Sequence, residues 1–515
     1  MHNHAPQKSS VNLGIRRAWK AHDLFWPAAY AGILIYFLFV DVHSRLIWTD
    51  EALSLFQVNQ KSLGEMLSSL TSGVNAIPYL YFLALWVVDQ VFTLSPFSLR
   101  ATSTLFSIFA VILLHSIIKD RFGTIISVIS CSLPVALGSA ALKYSSEGRP
   151  YSLYVFASVF GIWACLRILR REPSKSGYLV IILSAIFLPS AHYVGLLYTV
   201  ALAAITLSVR WRYTGALDYK LLISFISGWI IFIILHWPQL AIFINGEGLI
   251  NANWMADPNF MHLLNTYRRW GVLALIIIGT AWLTFVTWRY TSKDGRPLLS
   301  DNIQPFFNAP LTKDQAINTQ LFLVAMGWLV VPVIAFIVSM PQIPLPNISL
   351  GRYFAPTFVA IALLSAILLN EIRQLYMPQI EKMGETGITA KVLFPVLWIV
   401  TSIASGHSIN LSTEAPLIRE PAQKDEYSRF SNNDLPVITN NMHVFFTYNM
   451  YASDRNALRL MRTEQKEVGK LKIFNSALGG ISLKDLPTVE AFVFVHKKGS
   501  VNHMPDFDIH RWADA

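Results

Sequence analysis

Two short segments carry the residues best suited to chemistry. Trp48-Thr49-Asp50-Glu51-Ala52 sets two carboxylates side by side, and Ser146-Glu147-Gly148-Arg149-Pro150-Tyr151 sets an acid and a guanidinium two residues apart. A carboxylate with no cation beside it can take a proton from an attacking group, and Asp50 has no Lys or Arg within four residues. A guanidinium binds two oxygens of a phosphate at once, so Arg149 and Arg352 are candidates for an anionic ligand. Each has a structural explanation as well. Asp50 could cap the helix that follows it, and Glu147 could simply pair with Arg149. Glu51 reads as a supporting or capping group beside Asp50. Ser190-Ala191-His192-Tyr193 and Gly351-Arg352-Tyr353-Phe354 add a histidine and further aromatics. A lone histidine such as His192 is also a common structural residue. No HExxH, GxGxxG or P-loop pattern occurs in the chain.

The elements that must position these residues follow from composition. Of 515 residues, 53% are hydrophobic and only 14% charged, with a mean hydropathy of +0.44. One soluble core cannot hide that apolar excess, and an aromatic content of 13% excludes disorder. Two cysteines, Cys131 and Cys165, make no disulfide framework and read as small core residues. The composition predicts a polytopic α-helical membrane protein. Apolar runs long enough to span a bilayer lie near 24–41, 97–118, 123–142, 151–168, 176–190, 192–209, 221–240, 270–288, 319–339, 352–370 and 391–406. Residues 1–23 are polar and basic and no A-x-A cleavage site follows the first run, so that run is expected to be a span and not a signal peptide.

Lys and Arg in short loops set the orientation. Arg16, Arg17 and Lys20 place the N-terminus, 1–23, in the cytoplasm. Five later basic clusters also fall inside if the run 76–94 does not cross: Lys119/Arg121, Arg167/Arg170/Arg171/Lys175, Arg210/Arg212, Arg289/Lys293/Arg296 and Arg373/Lys382. That gives about 11 transmembrane helices over 24–409, with 76–94 an interfacial or re-entrant helix of the first outer loop, 42–96. Twelve spans with an inverted middle is the alternative. In the same loop, Ser62-Leu63-Gly64-Glu65 fits a capping box opening an amphipathic surface helix.

Composition changes near 410. Residues 410–515 hold 13 basic and 13 acidic residues, so the net charge of +10 belongs to the membrane part, with 28 Lys/Arg against 18 Asp/Glu. This is the signal of cytoplasmic loops, and nucleic acid is not an expected partner. The runs Pro436–Thr439 and Ala491–Val495 read as strands, with a helical stretch rich in Leu, Met and Arg between them. A small extracytoplasmic α/β domain is expected at 410–515. The cations that break the rule are Arg45, Lys143, Arg149, Arg268, Arg269 and Arg352, all mapped to outer ends of spans. One of them could snorkel to lipid phosphates; six suggest an anionic ligand outside.

The order Asp50-Glu51-Ala52, Glu147-Gly148-Arg149-Pro150-Tyr151, Ala191-His192-Tyr193, Arg352-Tyr353 resembles the membrane glycosyltransferases of the GT-C fold. It is most similar to the branch of protein O-mannosyltransferases, aminoarabinose–lipid A transferases and their bacterial relatives, over residues 20 to 375. The resemblance implies transfer of a sugar from a polyprenyl phosphate to a lipid, glycan or protein acceptor, at the outer face of the plasma (inner) membrane. It implies Asp50 and Glu147 as the catalytic carboxylates, Glu147 in a second acidic motif beside Arg149, and Arg352 on the donor phosphate. Substrate-binding residues expected around them are Glu51, Arg149, Tyr151, His192, Tyr193, Arg268, Arg269, Arg352 and Tyr353. Where such enzymes often carry a histidine before a proline, this chain has Asn75, so a divalent metal is left open and no metal ligand is assigned. One base acting in a single displacement predicts inversion at the sugar carbon. A lipid or solute transporter or flippase is the alternative; it predicts internal repeats and polar residues at the bilayer midplane, and neither stands out in the sequence.

Overall fold

The computed structural model describes residues 21–44, 47, 49–71, 77–137, 139–170, 174–244, 260–272, 276, 279, 311–339 and 351–380, and five strands between 437 and 513. Its helices are α1 Ala21–Ser44, α2 Thr49–Val58, α3 Leu63–Leu70, α4 Tyr79–Val91, α5 Pro96–Phe122, α6 Thr124–Leu137 and α7 Ser139–Ser146. They continue with α8 Tyr151–Arg170, α9 Lys175–Ala191, α10 Gly195–Thr214, α11 Tyr219–Ile244, α12 Phe260–Arg269, α13 Lys313–Val338, a 3₁₀ turn Gly351–Phe354 and α14 Pro356–Ile380. Among the described residues α1, α5, α8, α11 and α13 are long and apolar enough to cross a membrane. The chain is a polytopic helical membrane protein. Most of the expected span at 270–288 and all of that at 391–406 lie outside the described residues.

Local chemistry sets where these helices start. Ser95 and Ser98 form a reciprocal capping box with Pro96 at the first helical position of α5. Thr312 and Gln315 do the same for α13. At α3 the expected box is offset: Ser62 accepts from the Glu65 amide at 3.2 Å, but the Glu65 carboxylate reaches the Lys61 amide, also at 3.2 Å. The expected single span 123–142 is instead two helices, α6 and α7. Pro134 sits inside α6 and cannot donate to the Ser130 carbonyl four residues back, which weakens the turn between them.

Core packing joins the long helices through small residues and a few satisfied polar groups. Trp328 of α13 is fully buried against α10, and its indole N–H donates to the Tyr198 carbonyl at 3.1 Å. Gln320 donates to Thr206 across the same pair at 2.7 Å. Cys131 and Cys165 are buried, at 1% and 0% exposure, as their apolar surroundings predict.

The bundle has two distinct ends. The opposite end from the acidic motifs gathers cations into ion pairs: Arg121 with Asp314 at 2.9 Å, Arg170 with Asp120 at 3.2 Å and Arg210 with Asp218 at 3.4 Å. Arg373 of α14 joins them by donating to the Phe122 carbonyl at 3.0 Å. The chain therefore returns to one end after α1, before α5, before α8, between α9 and α10, and before α14. The first loop begins and ends there too, because Arg100 of α5 bonds both Glu51 of α2 and the Asp41 carbonyl of α1. Helices α2–α4 thus make no net crossing. At 13 residues, α4 is about 20 Å long, against a hydrocarbon core of roughly 30 Å.

The later residues form a five-stranded sheet, β1 Val437–Thr439, β2 Leu458–Arg462, β3 Ile481–Ser482, β4 Ala491–Lys498 and β5 Asp506–Ala513. The order is β3-β2-β1-β4-β5, with β4–β5 antiparallel and the other pairs parallel. The strands expected at 436–439 and 491–495 are β1 and β4. The stretch rich in Leu, Met and Arg between them, expected as helix, holds strand β2. Leu458 and Leu460 flank Arg459 with a period of two, and β2 pairs in parallel with β1, Leu458 opposite Val437.

Candidate active site

Helix α2 carries Asp50 and Glu51 in its first turn, where the helix dipole favours negative charge. Successive residues on a helix point about 100° apart, and here their environments diverge completely. Glu51 is buried, at 0% exposure, and faces α5. Its two oxygens accept from Arg100 Nε at 3.1 Å and Nη2 at 2.9 Å, a bidentate pair. One of them also accepts from the Gly148 amide at 2.7 Å. Glu51 therefore ties the first acidic motif to the second. Ser146 beside it bonds Asp41 of α1. A Cβ on Gly148 would lie 2.4 Å from the Leu99 side chain, so any larger residue there would force Leu99 to move.

Asp50 turns the other way, with its side chain 24% exposed. One carboxylate oxygen, Oδ2, lies 3.2 Å from Arg352 Nη1 and 3.7 Å from Arg149 Nη2. Arg149 also donates to the Asp50 carbonyl at 3.1 Å and to Ser54 Oγ at 3.2 Å, so it is fixed along α2. Arg352 comes from the 3₁₀ turn before α14. That turn is held by Trp270, whose indole N–H donates to the Gly351 carbonyl at 2.8 Å. The Glu147 carboxylate, at 0% exposure, lies within electrostatic range of Arg352 and of Tyr144.

Aromatic rings complete the floor. His192, in the turn between α9 and α10, stacks on Tyr154 with centroids 5.1 Å apart and lies 4.7 Å from Tyr353. Tyr151 is 6.4 Å from the same imidazole. His192 Nδ1 accepts from the Val194 amide at 3.3 Å, which places any single proton on Nε2. Burial pulls the imidazole down to about 3, and the nearby Arg352 and Arg149 charges add to this.

Of the residues singled out from sequence, Asp50, Glu51, Glu147, Arg149, Tyr151, His192, Arg352 and Tyr353 come together. Tyr193 turns to a different network, donating to Gln239 Oε1 at 2.8 Å beside His236. Gln239 in turn donates to the Leu70 and Ile77 carbonyls and so pins the α3–α4 connection. Arg268 and Arg269 are exposed on α12, and Lys143 is exposed on α7. Arg45 and Asn75 lie outside the described residues. Arg100, Tyr144 and Tyr154 were not singled out. Arg100 was absorbed into the span at 97–118; an arginine at the start of an apolar run with no acid nearby was the signal that it needs a distant carboxylate. Among the described residues no group of three His, Cys, Asp or Glu side chains is placed to hold a metal.

No protein-family model matches the chain, and no curated protein matches it. Its fold is similar to that of ArnT from Cupriavidus metallidurans. The match is to the crystal structure bound to undecaprenyl phosphate, with a TM-score of 0.55 and 11% identity over 92% of this chain and 93% of that one. The apo structure gives 0.56 and 11% over 93% and 94%. A weaker likeness, TM-score 0.43, is to the archaeal oligosaccharyltransferase AglB from Archaeoglobus fulgidus, over 92% of this chain and 69% of that one. The chain shares the fold of ArnT, the GT-C fold.

Proposed function

We propose that this chain is an inverting glycosyltransferase, moving a sugar from a polyprenyl-phosphate donor to an acceptor at the extracytoplasmic face of the membrane. The observation that carries this reading is Asp50: a partly exposed carboxylate between two guanidiniums, at the end of a GT-C bundle opposite its basic clusters. By the positive-inside rule those clusters, Arg121, Arg170, Arg210 and Arg373, face the cytoplasm, and the acidic motifs face out. The N-terminus is then cytoplasmic and the segment 410–515 extracytoplasmic, in the plasma (inner) membrane.

The chemistry follows from the groups present. A sugar on a lipid phosphate already has a good leaving group, so stabilising charge matters more than general acid catalysis. Arg352 and Arg149 hold the phosphate as the C1–O bond breaks and its electron pair moves onto the phosphate. Asp50 accepts the proton of the attacking hydroxyl or amine, a contribution of about 10²–10⁴ in rate. The new bond forms on the face of C1 opposite the leaving group, which inverts that carbon. Glu147 is fully buried, so its role is to set the charge balance around Arg352. Tyr353 is partly exposed and offers a ring face on which a sugar can stack, backed by the buried Tyr151 and His192. Arg268 and Arg269, exposed on α12, are placed to meet an anionic acceptor or membrane lipid. That ArnT is crystallised with undecaprenyl phosphate supports a lipid phosphate as the ligand class. The acceptor is a lipid, a glycan or a protein.

The test is mass spectrometry of lipids that co-purify with the wild type and with Asp50→Asn, alongside a transfer assay. A sugar-bearing polyprenyl phosphate enriched in Asp50→Asn, with transfer lost, is the expected result and names the sugar. Ordinary phospholipid alone in both, with donor supplied in excess, would overturn the reading.

A further inference from the structure

The seat for the donor phosphate and the partner of the base are the same two guanidiniums. Asp50 Oδ2 accepts from Arg352 Nη1 at 3.2 Å and lies 3.7 Å from Arg149 Nη2. Asp50 is 24% exposed and Arg352 17%, so a solvated anion can reach the pair, whereas Arg149 is nearly enclosed at 5%. A carboxylate and a phosphate cannot both hold this fork closely, because two anions at that separation repel strongly. While Asp50 holds the fork, its Oδ2 lone pairs face guanidinium donors instead of an incoming hydroxyl.

We propose that Asp50 is a built-in occupant of the phosphate seat, displaced by the donor, so that donor binding is what frees the base. This rests on the transferase reading above and makes the order of binding compulsory, donor before acceptor. The cycle balances. The arriving phosphate takes the donors of Arg352 and Arg149, and the Asp50 carboxylate swings free. The acceptor O–H or N–H proton passes to Asp50 as the acceptor–C1 bond forms; the C1–O bond breaks and its electron pair leaves with the phosphate. Protonated Asp50 is neutral and does not compete for the arginines. Once its proton passes to water, the carboxylate returns to Arg352 and expels the spent lipid phosphate. The neighbouring carboxylate cannot substitute in this exchange, because Glu51 is buried and committed to Arg100 and the Gly148 amide.

The experiment measures binding of undecaprenyl phosphate, and separately of inorganic phosphate, to the full-length chain in detergent. Wild type is compared with Asp50→Asn, Asp50→Ala and Arg352→Gln. Removing a competing anion should tighten lipid-phosphate binding at least about tenfold in both Asp50 variants. Arg352→Gln should weaken it by a similar factor. Inorganic phosphate showing the same rank order at lower affinity would assign the effect to the phosphate group; tightening confined to the lipid would overturn the shared-seat argument. Equal or weaker binding by both Asp50 variants would also overturn it, while leaving the transferase reading intact. If none of the proteins bound lipid phosphate, or Arg352→Gln bound as well as wild type, the phosphate seat itself would be refuted, and the parent reading with it. On the wild type, initial-rate kinetics should show a compulsory order with donor first; random order would overturn the proposal independently of any variant.

Discussion

Asp50 and Glu51 are adjacent in the chain and unlike in every physical respect. Asp50 is partly exposed between two cations, whereas Glu51 is sealed against Arg100 with all of its charge matched. The two should therefore fail differently when changed. Asp50→Asn should lower transfer by at least about 10²-fold with little loss of stability, read in a transfer assay beside a thermal melt. Glu51→Gln should leave Arg100 buried without its counter-charge and cost about 3–5 kcal/mol, seen as a large fall in melting temperature. Comparable stability in the two variants would contradict the division of labour. His192 adds a pH dependence. Its folded-state pKa of about 3 lies below the unfolded value of about 6.5, so the unfolded chain gains a proton that the folded chain refuses. Its contribution is fully present above pH 6.5 and is lost as pH falls toward 3, at about 1.4 kcal/mol per unit in between. His192→Gln should flatten the melting temperature between pH 7 and pH 5 relative to wild type. At this scale, sequence revealed the acids and the cations beside them because charge is costly at a membrane and stands out. It could not reveal that Glu51 turns to Arg100, 49 residues away, since side-chain direction on α2 is decided by tertiary packing.

The helices were legible where apolar length alone decides them. Expected spans at 24–41, 97–118, 151–168, 176–190 and 221–240 match α1, α5, α8, α9 and α11. The break between α6 and α7 was not legible, because a run of apolar residues stays apolar through Pro134. Strand β2 was missed because five residues are too few to separate a period of two from a period of 3.6. The turn between α9 and α10 shows what holds a site residue in place. Gly195 opens α10 so close to α9 that a Cβ there would lie 2.4 Å from the Leu188 carbonyl oxygen. That atom is backbone and cannot step aside as a flexible side chain would. Gly195→Ala should therefore destabilise by about 1–3 kcal/mol and shift His192 against Tyr353, lowering both melting temperature and transfer. A variant as stable as wild type would show that the two helices can separate without cost.

For the whole molecule, charge is segregated: the ion-paired clusters Arg121–Asp314, Arg170–Asp120 and Arg210–Asp218 sit at one end, and the acidic motifs with Arg149 and Arg352 at the other. The sequence carried this segregation in its basic clusters, which agree with one another when the run 76–94 stays on one face, and Arg100 holds the two ends of that loop together. The grouping of Asp50 with Arg352, 302 residues apart, was beyond its reach, since no local pattern records which loops meet. If the acidic end faces out, a cysteine placed at Lys61 should react with an impermeant maleimide on intact cells, and one at Ser176 only after permeabilisation. The reverse pattern would invert the orientation. The molecule comes ready for that measurement. Both native thiols, Cys131 and Cys165, are sealed inside the bundle, so the wild-type chain should be silent to the reagent. Each introduced cysteine then reports on its own position, with no need for a cysteine-free background that would itself disturb the core.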